Sequence, residues 1–148
     1  MNVNGFSFDF SFYSFEYPEW LCTEFNDQFV VLMDPPPVGT FNGNIAFDSS
    51  SNPVSVNSAL FEACVPTQGY PCSRGTAELL GTGFDSWANG IGDAGATGWL
   101  RTTAPVMPGQ EFKIRIVVWD TGDQLTDSTV ILDNFQWIID PTTLGTSR

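Results

Sequence analysis

The sequence predicts an all-β fold, an antiparallel jelly-roll β-sandwich in a single domain, and three observations lead to this prediction. Short apolar segments with turn-forming residues between them recur along the 148 residues, no amphipathic helix of ordinary length occurs, and strands do not alternate with helical segments. With 42% apolar residues, including 13 Phe, 5 Trp and 3 Tyr, the chain can build one core. We place the domain at residues 1–140 and assign residues 141–148 to a polar C-terminal tail or linker.

The N-terminal half contains the clearest strand. Phe6, Phe8, Phe10 and Phe12 alternate with smaller or polar residues, and this period of two is typical of a strand with one buried face. A second strand is predicted at residues 29–33, and it ends where Asp34 precedes three prolines that cannot donate ladder hydrogen bonds. The hairpin-type sequence at residues 42–44 and the polar loop at 48–53 predict short strands at residues 45–47 and 54–56.

The remaining strands are predicted mostly in the last third of the chain. Residues 73–98 are rich in glycine and predict a loop, apart from a short strand or helical turn at residues 77–80. Strands are expected at residues 99–103, 112–119 and 128–139. In the second of these, the apolar side chains at alternate positions point to one side; they are Phe112, Ile114, Ile116 and Val118.

The charge balance excludes several classes of function. The chain has 17 Asp and Glu against 5 Lys and Arg, and with no histidine its formal net charge is −12. Such a surface repels phosphate backbones and anionic lipid, so we expect neither nucleic-acid binding nor attachment to a membrane surface. Without histidine there is no Ser-His-Asp or Cys-His nucleophile and no zinc site with a His ligand. No apolar run reaches the ~18 residues of a membrane span, so metal cations and neutral ligands remain.

The cysteines and the N-terminus suggest a compartment. The chain enters a strand pattern directly after Met1 without signal-peptide features, so we expect a piece of a longer protein. Cys64 and Cys72 enclose a turn-rich segment that a disulfide can close, while Cys22 is left over. The alternative is three reduced, buried thiols. The low lysine content and the paired cysteines favour an extracellular setting.

Acidic residues concentrate near the C-terminus and predict a bound, structural Ca²⁺. From Asp120 to Asp140 no basic residue intervenes, and a hard cation that takes 6–8 oxygen ligands can offset the resulting repulsion. Asp133 and Asn134 interrupt an apolar strand, so their polar groups must be solvated, hydrogen-bonded or metal-bound. An upstream group can complete the shell. The candidate ligands are Glu16, Asn26, Asp27, Asp120, Asp123, Asp127, Asp133 and Asn134.

An alternative without metal stays open. The acidic residues can be solvated turn residues, with Asp133 and Asn134 facing solvent or bonded to nearby backbone. The spacing does not fit an EF-hand loop, so that motif contributes nothing to the prediction.

A loop tryptophan suggests a ligand, whereas evidence for catalysis is weak. Trp87 lies between Asp85 and Asn89, an arrangement suited to stacking on a sugar and bonding its hydroxyls; alternatively Trp87 covers one end of the core. Paired carboxylates suffice for glycoside hydrolysis, but no pair stands out. Lys113 is the sole lysine available as a base or for an isopeptide cross-link, and strand alternation places it on the solvated side. We expect no enzyme.

Several motifs together resemble a known family. They are residues 14–20 (SFEYPEW), 25–29 (FNDQF), 81–85 (GTGFD), 97–106 (TGWLRTTAPV) and 119–123 (WDTGD), followed by 127–135 (DSTVILDNF). In combination, over most of the chain, they resemble the choice-of-anchor domains, notably type L, of secreted and surface-anchored bacterial proteins, many from myxobacteria. The strand ending in Leu132, Asp133, Asn134 and Phe135 alone occurs in many jelly rolls.

The resemblance implies an extracellular β-sandwich module that a separate anchor delivers to a cell surface, with adhesion as an expected use. It supplies no catalytic residues. The chain departs from the family in lacking its N-terminal part, which leaves a sheet edge open to another chain. We therefore expect a calcium-stabilised, non-catalytic module that binds a glycan or a cell-surface protein. The alternative is a structural domain that forms homo-oligomers through this edge strand.

Overall fold

The computed structural model describes residues 2–65, 70, 72–85, 94–122 and 124–148, and these residues form strands and turns without a helix. They therefore include no helix that could cross a membrane. The predicted all-β class is confirmed. In chain order the strands are β1 (Gly5–Ser14), β2 (Gln28–Asp34), β3 (Val54–Ser55), β4 (Ala63–Cys64), β5 (Gly95–Ala96), β6 (Leu100–Pro105), β7 (Lys113–Trp119), β8 (Ser128–Ile138) and β9 (Gly145–Ser147).

The strands form two antiparallel sheets. The larger sheet has the order β4, β5, β1, β6, β9, and β8 pairs with the other side of β1. The smaller sheet has the order β3, β2, β7. This arrangement is sandwich-like and not a closed barrel, while the jelly-roll connectivity stays a prediction.

The core lies between the two sheets and is dominated by the alternating phenylalanines of β1. Phe6, Phe10 and Phe12 are completely buried, and the Phe10 ring centroid lies 4.8 Å from that of Phe29 on β2. Because side chains alternate along a strand, the intervening residues of β1 face away from this core. The prediction that the four phenylalanines of β1 face a core is confirmed.

Several short elements differ from the prediction. Residues 45–47 lie outside the named strands, because the side-chain oxygen of Asn44 accepts hydrogen bonds from the backbone N–H groups of Val31 and Ala46. Residues 77–80, predicted as a short strand or a helical turn, form a turn and not a strand. Residues 141–148, assigned above to a tail or linker, carry β9, which pairs with β6. Arg148 donates to the backbone oxygens of Thr97 and Leu60.

The cysteines are arranged as predicted. Cys64 and Cys72 form a disulfide whose Cα atoms lie 5.2 Å apart, and Cys22 is free and exposed. The bond ties β4 to the segment after residue 71.

Candidate metal centre

Three carboxylates meet at one end of the sandwich because of how the strands pair. Gln28 pairs with Trp119 at the end of the β2–β7 ladder, so Asp27 directly before β2 and Asp120 directly after β7 are neighbours. Glu16 follows β1, and its Oε2 accepts a hydrogen bond of 3.1 Å from the backbone N–H of Asp27. One carboxylate oxygen from each of the three residues lies within 4.8 Å of the others.

The inner two carboxylates are buried. Glu16 and Asp27 have no exposed surface, whereas Asp120 is exposed. The Oδ1 atom of Asp27 accepts from the backbone N–H of Thr121 at 3.1 Å, but its buried Oδ2 has no hydrogen-bond partner among the described residues. The buried hydroxyl of Thr121 also lacks one. Burying an unpartnered polar group is costly, and these two atoms are therefore available to a further ligand at the site.

The lysine and arginine side chains do not neutralise Asp27. Ion pairs join Arg74 to Glu78, Arg101 to Asp9 and Arg148 to Glu62. The other two cations, Lys113 and Arg115, lie toward the end of β7 that is remote from Asp120, since Lys113 pairs with Asp34. Within the part of the chain that the structure describes, three positive side chains are thus paired with other carboxylates and the other two lie away from Asp27.

The spacing of the oxygens suits calcium. Ca²⁺ binds oxygen at about 2.3–2.6 Å, so two ligands of one ion lie up to about 5 Å apart. Mg²⁺ requires about 2.0–2.1 Å, which limits that separation to about 4.2 Å. All three oxygens lie within 4.8 Å of one another, which is within the reach of a single Ca²⁺ ion. The donor set of carboxylates with a nearby hydroxyl is also typical of calcium and contains no zinc-type nitrogen or sulfur ligand.

Asp133 and Asn134 occupy a different place from the cluster. They lie at a bulge where β8 opposes β1, and Asn134 has a positive φ of 54°. The Asn134 side chain donates to Asp9, which also accepts two hydrogen bonds from Arg101 at 2.6 and 2.9 Å. These bonds from Arg101, with a smaller contribution from Asn134, lower the pKa of Asp9. The polar pair in the apolar strand thus anchors a bulge.

The other predicted ligands also have separate contacts. The backbone oxygen of Asp127 accepts from Phe15, and Oδ1 of Asn26 accepts from the backbone N–H of Asn57 at 3.0 Å. Asp123 lies outside the described residues.

The predicted tryptophan site can be placed only in part. Trp87 and Asn89 lie outside the described residues. Asp85 closes a turn, since its Oδ2 accepts from the backbone N–H of Gly81 at 2.9 Å.

Sequence reasoning overlooked Thr121 and did not single out the three-carboxylate group. The information was present in the strand ends: once residues 29–33 are paired antiparallel with 112–119, the carboxylates flanking them at Asp27 and Asp120 become neighbours. The hydroxyl of Thr121, directly after Asp120, then lies next to these carboxylates in the sequence and can be included in the predicted site.

Comparison with known proteins identifies a family. The family model of the Choice-of-anchor L domain matches residues 2–136, which is most of the chain. No curated protein and no solved structure matches the chain. The family match and the Cys64–Cys72 disulfide both indicate a surface-associated or secreted setting.

Proposed function

We propose that this chain, which belongs to the Choice-of-anchor L family, is a non-catalytic extracellular surface module. In this proposal the module recognises a glycan or a cell-surface protein, and Ca²⁺ stabilises its fold. The single observation that carries the calcium proposal is the buried, unpartnered Oδ2 of Asp27 beside the carboxylates of Glu16 and Asp120.

Calcium binding would have a mechanical role in this module. The three ligands come from the segment after β1, the residue before β2 and the residue after β7. β1 belongs to the larger sheet, and the other two strands belong to the smaller one. One ion would therefore join the two sheets at this end and hold the recognition surface of the module in a fixed shape.

Thermal unfolding in EDTA, Ca²⁺ and Mg²⁺ tests this proposal. A ligand at a hundredfold excess over its Kd stabilises the fold by about 2.7 kcal/mol, which raises Tm by about 5–10 °C in a domain of this size. We expect this rise with Ca²⁺, a smaller one with Mg²⁺, and none in the Asp120→Asn variant. Asp133→Asn is the matched control, because Asp133 is exposed and lies outside the cluster. An equal Tm in EDTA and Ca²⁺ would contradict the proposal.

Self-assembly is a second candidate function. It is favoured by large apolar side chains that lie on the core side of their strands and are nevertheless about half exposed to solvent. Phe135 and Trp137 of β8 pack against Phe6, yet each is 51% exposed, and Ile116 of β7 is 49% exposed. In the described chain β7 pairs only with β2, and β8 only with β1. A second copy related by a two-fold axis could extend both sheets and cover these side chains together.

Light scattering over a range of protein concentrations tests self-assembly. We expect the mass to rise toward that of a dimer, and more strongly at high salt because the −12 charges of the two copies are then screened. Trp137→Lys should keep the protein monomeric, whereas Trp99→Lys, at a tryptophan of similar exposure on another strand boundary, should not. A monomeric mass at all concentrations and salt levels would exclude this candidate.

A further inference from the structure

We propose that the outer face of the smaller sheet binds a neutral oligosaccharide, in a groove lined by amide and hydroxyl side chains and bordered by Trp119. This inference rests on the proposed recognition function and assigns it a site and a ligand class. The site differs from the loop around Trp87 that the sequence suggested.

The groove is polar but uncharged. It has a volume of about 400 Å³, and amide and hydroxyl groups line it together with one proline. An amide offers both donors and an acceptor, as a sugar hydroxyl requires. None of the described lining residues is charged, which disfavours an ionic ligand. The lining residues are Asn26, Gln28, Asn52, Pro53, Ser55, Asn57 and Ser58.

The side-chain oxygens of Asn26 and Asn57 accept backbone hydrogen bonds, which fixes both amides and leaves their NH₂ groups available. Oδ1 of Asn26 accepts from the backbone N–H of Asn57, and Oδ1 of Asn57 accepts from the backbone N–H of Cys22 at 2.6 Å. Because both oxygens are committed to backbone donors, each NH₂ group is the end left for a ligand. The side chain of Gln28 forms no hydrogen bond to another described residue. The NH₂ groups of Asn26 and Asn57 and the amide of Gln28 therefore have no hydrogen-bond partner among the described residues, whereas the Asn52 amide donates to Asp48 at 3.1 Å.

An aromatic side chain lies in line with these amides. Ser55, Gln28 and Trp119 are paired across β3, β2 and β7, so they form one row. Their neighbours Val54 and Phe29 are buried in the core, which places the row on the outer face. Directly paired residues have Cβ atoms about 4.5–5.5 Å apart, so the 41%-exposed Trp119 adjoins Gln28. An indole beside amides can stack on the apolar face of a sugar while the amides bind its hydroxyls.

The groove adjoins the candidate metal centre. Asp27 directly precedes Gln28, and Asp120 directly follows Trp119. A cation held by these two carboxylates would fix the separation of the amide and the indole. We therefore expect calcium to strengthen sugar binding, although no oxygen of the sugar needs to reach the ion.

A glycan array probed with the full chain in millimolar Ca²⁺ tests the proposal. The probes are neutral oligosaccharides of glucose, galactose, mannose and xylose, printed beside acidic oligosaccharides and neutral peptides. We expect binding to at least one neutral oligosaccharide, weakened about tenfold or more by Trp119→Ala and by Gln28→Ala. Trp99→Ala and Gln110→Ala are matched controls, since both residues are exposed and neither lines the groove; they should retain affinity within about twofold.

A second readout measures binding in the wild-type protein, and it needs a variant only to assign one resonance. In the wild-type protein, the indole N–H resonance of Trp119, identified by its loss in Trp119→Phe, should shift on titration with the bound oligosaccharide. The proposal is overturned if the folded, calcium-loaded protein binds only acidic oligosaccharides or peptides, if it binds nothing on the array, or if both groove variants bind as the wild type does.

Failure of this inference can be distinguished from failure of the calcium proposal. A Ca²⁺-dependent Tm rise without sugar binding overturns this inference alone, and sugar binding without that rise overturns only the calcium proposal.

Discussion

The carboxylates of Asp9 and Asp27 differ in both burial and hydrogen-bond partners. Asp9 is partly exposed, yet it is surrounded by protein partners, with Arg101 and Asn134 donating to both of its oxygens. Asp27 is fully buried, and one of its oxygens has no partner among the described residues. The carboxylate that water can solvate has protein partners at both oxygens, whereas the buried one has an oxygen without a partner among the described residues. This contrast is the basis for assigning an ion to Asp27 and none to Asp9.

The largest expected change in the free energy of unfolding comes from Asp27→Asn, and the sign of this change should depend on whether calcium is present. In Ca²⁺ the variant should lose the stabilisation of about 2–3 kcal/mol that the ion provides at a hundredfold excess over Kd. In EDTA it should be at least as stable as the wild type, because the amide removes one of three neighbouring negative charges and can donate where Oδ2 cannot. Urea unfolding in both buffers measures the two values. A loss of equal size with and without calcium would mean that Asp27 has only a structural role.

A smaller decrease in Tm is expected at Asp9, whose carboxylate is paired with Arg101. Arg101→Met removes the ion pair to Asp9, and both side chains are partly exposed, so the decrease in Tm should be modest. It should also be the same in Ca²⁺ and EDTA. Arg115→Met is the matched control, an exposed arginine without an ion pair to any described residue, and it should leave Tm nearly unchanged. A calcium-dependent loss in Arg101→Met would remove the distinction between the two sites.

The smallest expected effect is a pH dependence of the Asp9 site. The pKa of Asp9 is lowered in the folded state, mainly by hydrogen bonding to Arg101, so the unfolded chain takes up the proton first as pH falls. The stabilisation is thus fully present above the ordinary Asp pKa of about 3.9 and is lost as pH drops below it. In EDTA, the difference in unfolding free energy between wild type and Asp9→Asn should be constant from about pH 5 to 8 and shrink below about pH 4. A difference that grows as pH falls would contradict this assignment.

Sequence patterns predicted the long strands because their information is local. The period of two at Phe6 to Phe12 identifies β1 and its buried face without knowledge of any partner. The strands β4, β5 and β9 have only two or three residues, too few for any period to be visible. At residues 45–47 the outcome depended on one side chain, since the Asn44 amide took hydrogen bonds that a ladder would otherwise form.

The candidate site was predicted in composition but not in geometry. Glu16, Asp27 and Asp120 were among the proposed ligands, and antiparallel pairing of β2 with β7 brought two of them together. Asp133 and Asn134 had the same acidic and amide character, but Asn134 instead bonds Asp9, which lies 125 residues away in the sequence. A single sequence does not specify which distant partner each polar group will find, and this choice placed Asn134 at a bulge and Asp27 in the carboxylate cluster.

Calorimetric titration of EDTA-treated, dialysed protein with Ca²⁺ tests the central claim most directly, with Mg²⁺ as the comparison ion. We predict one Ca²⁺ per chain at the Glu16–Asp27–Asp120 cluster, with Mg²⁺ binding about tenfold or more weakly. Binding should disappear in Asp27→Asn and persist in Asp133→Asn. The absence of calcium binding by the folded wild type, or equal affinity in Asp27→Asn, would contradict the account.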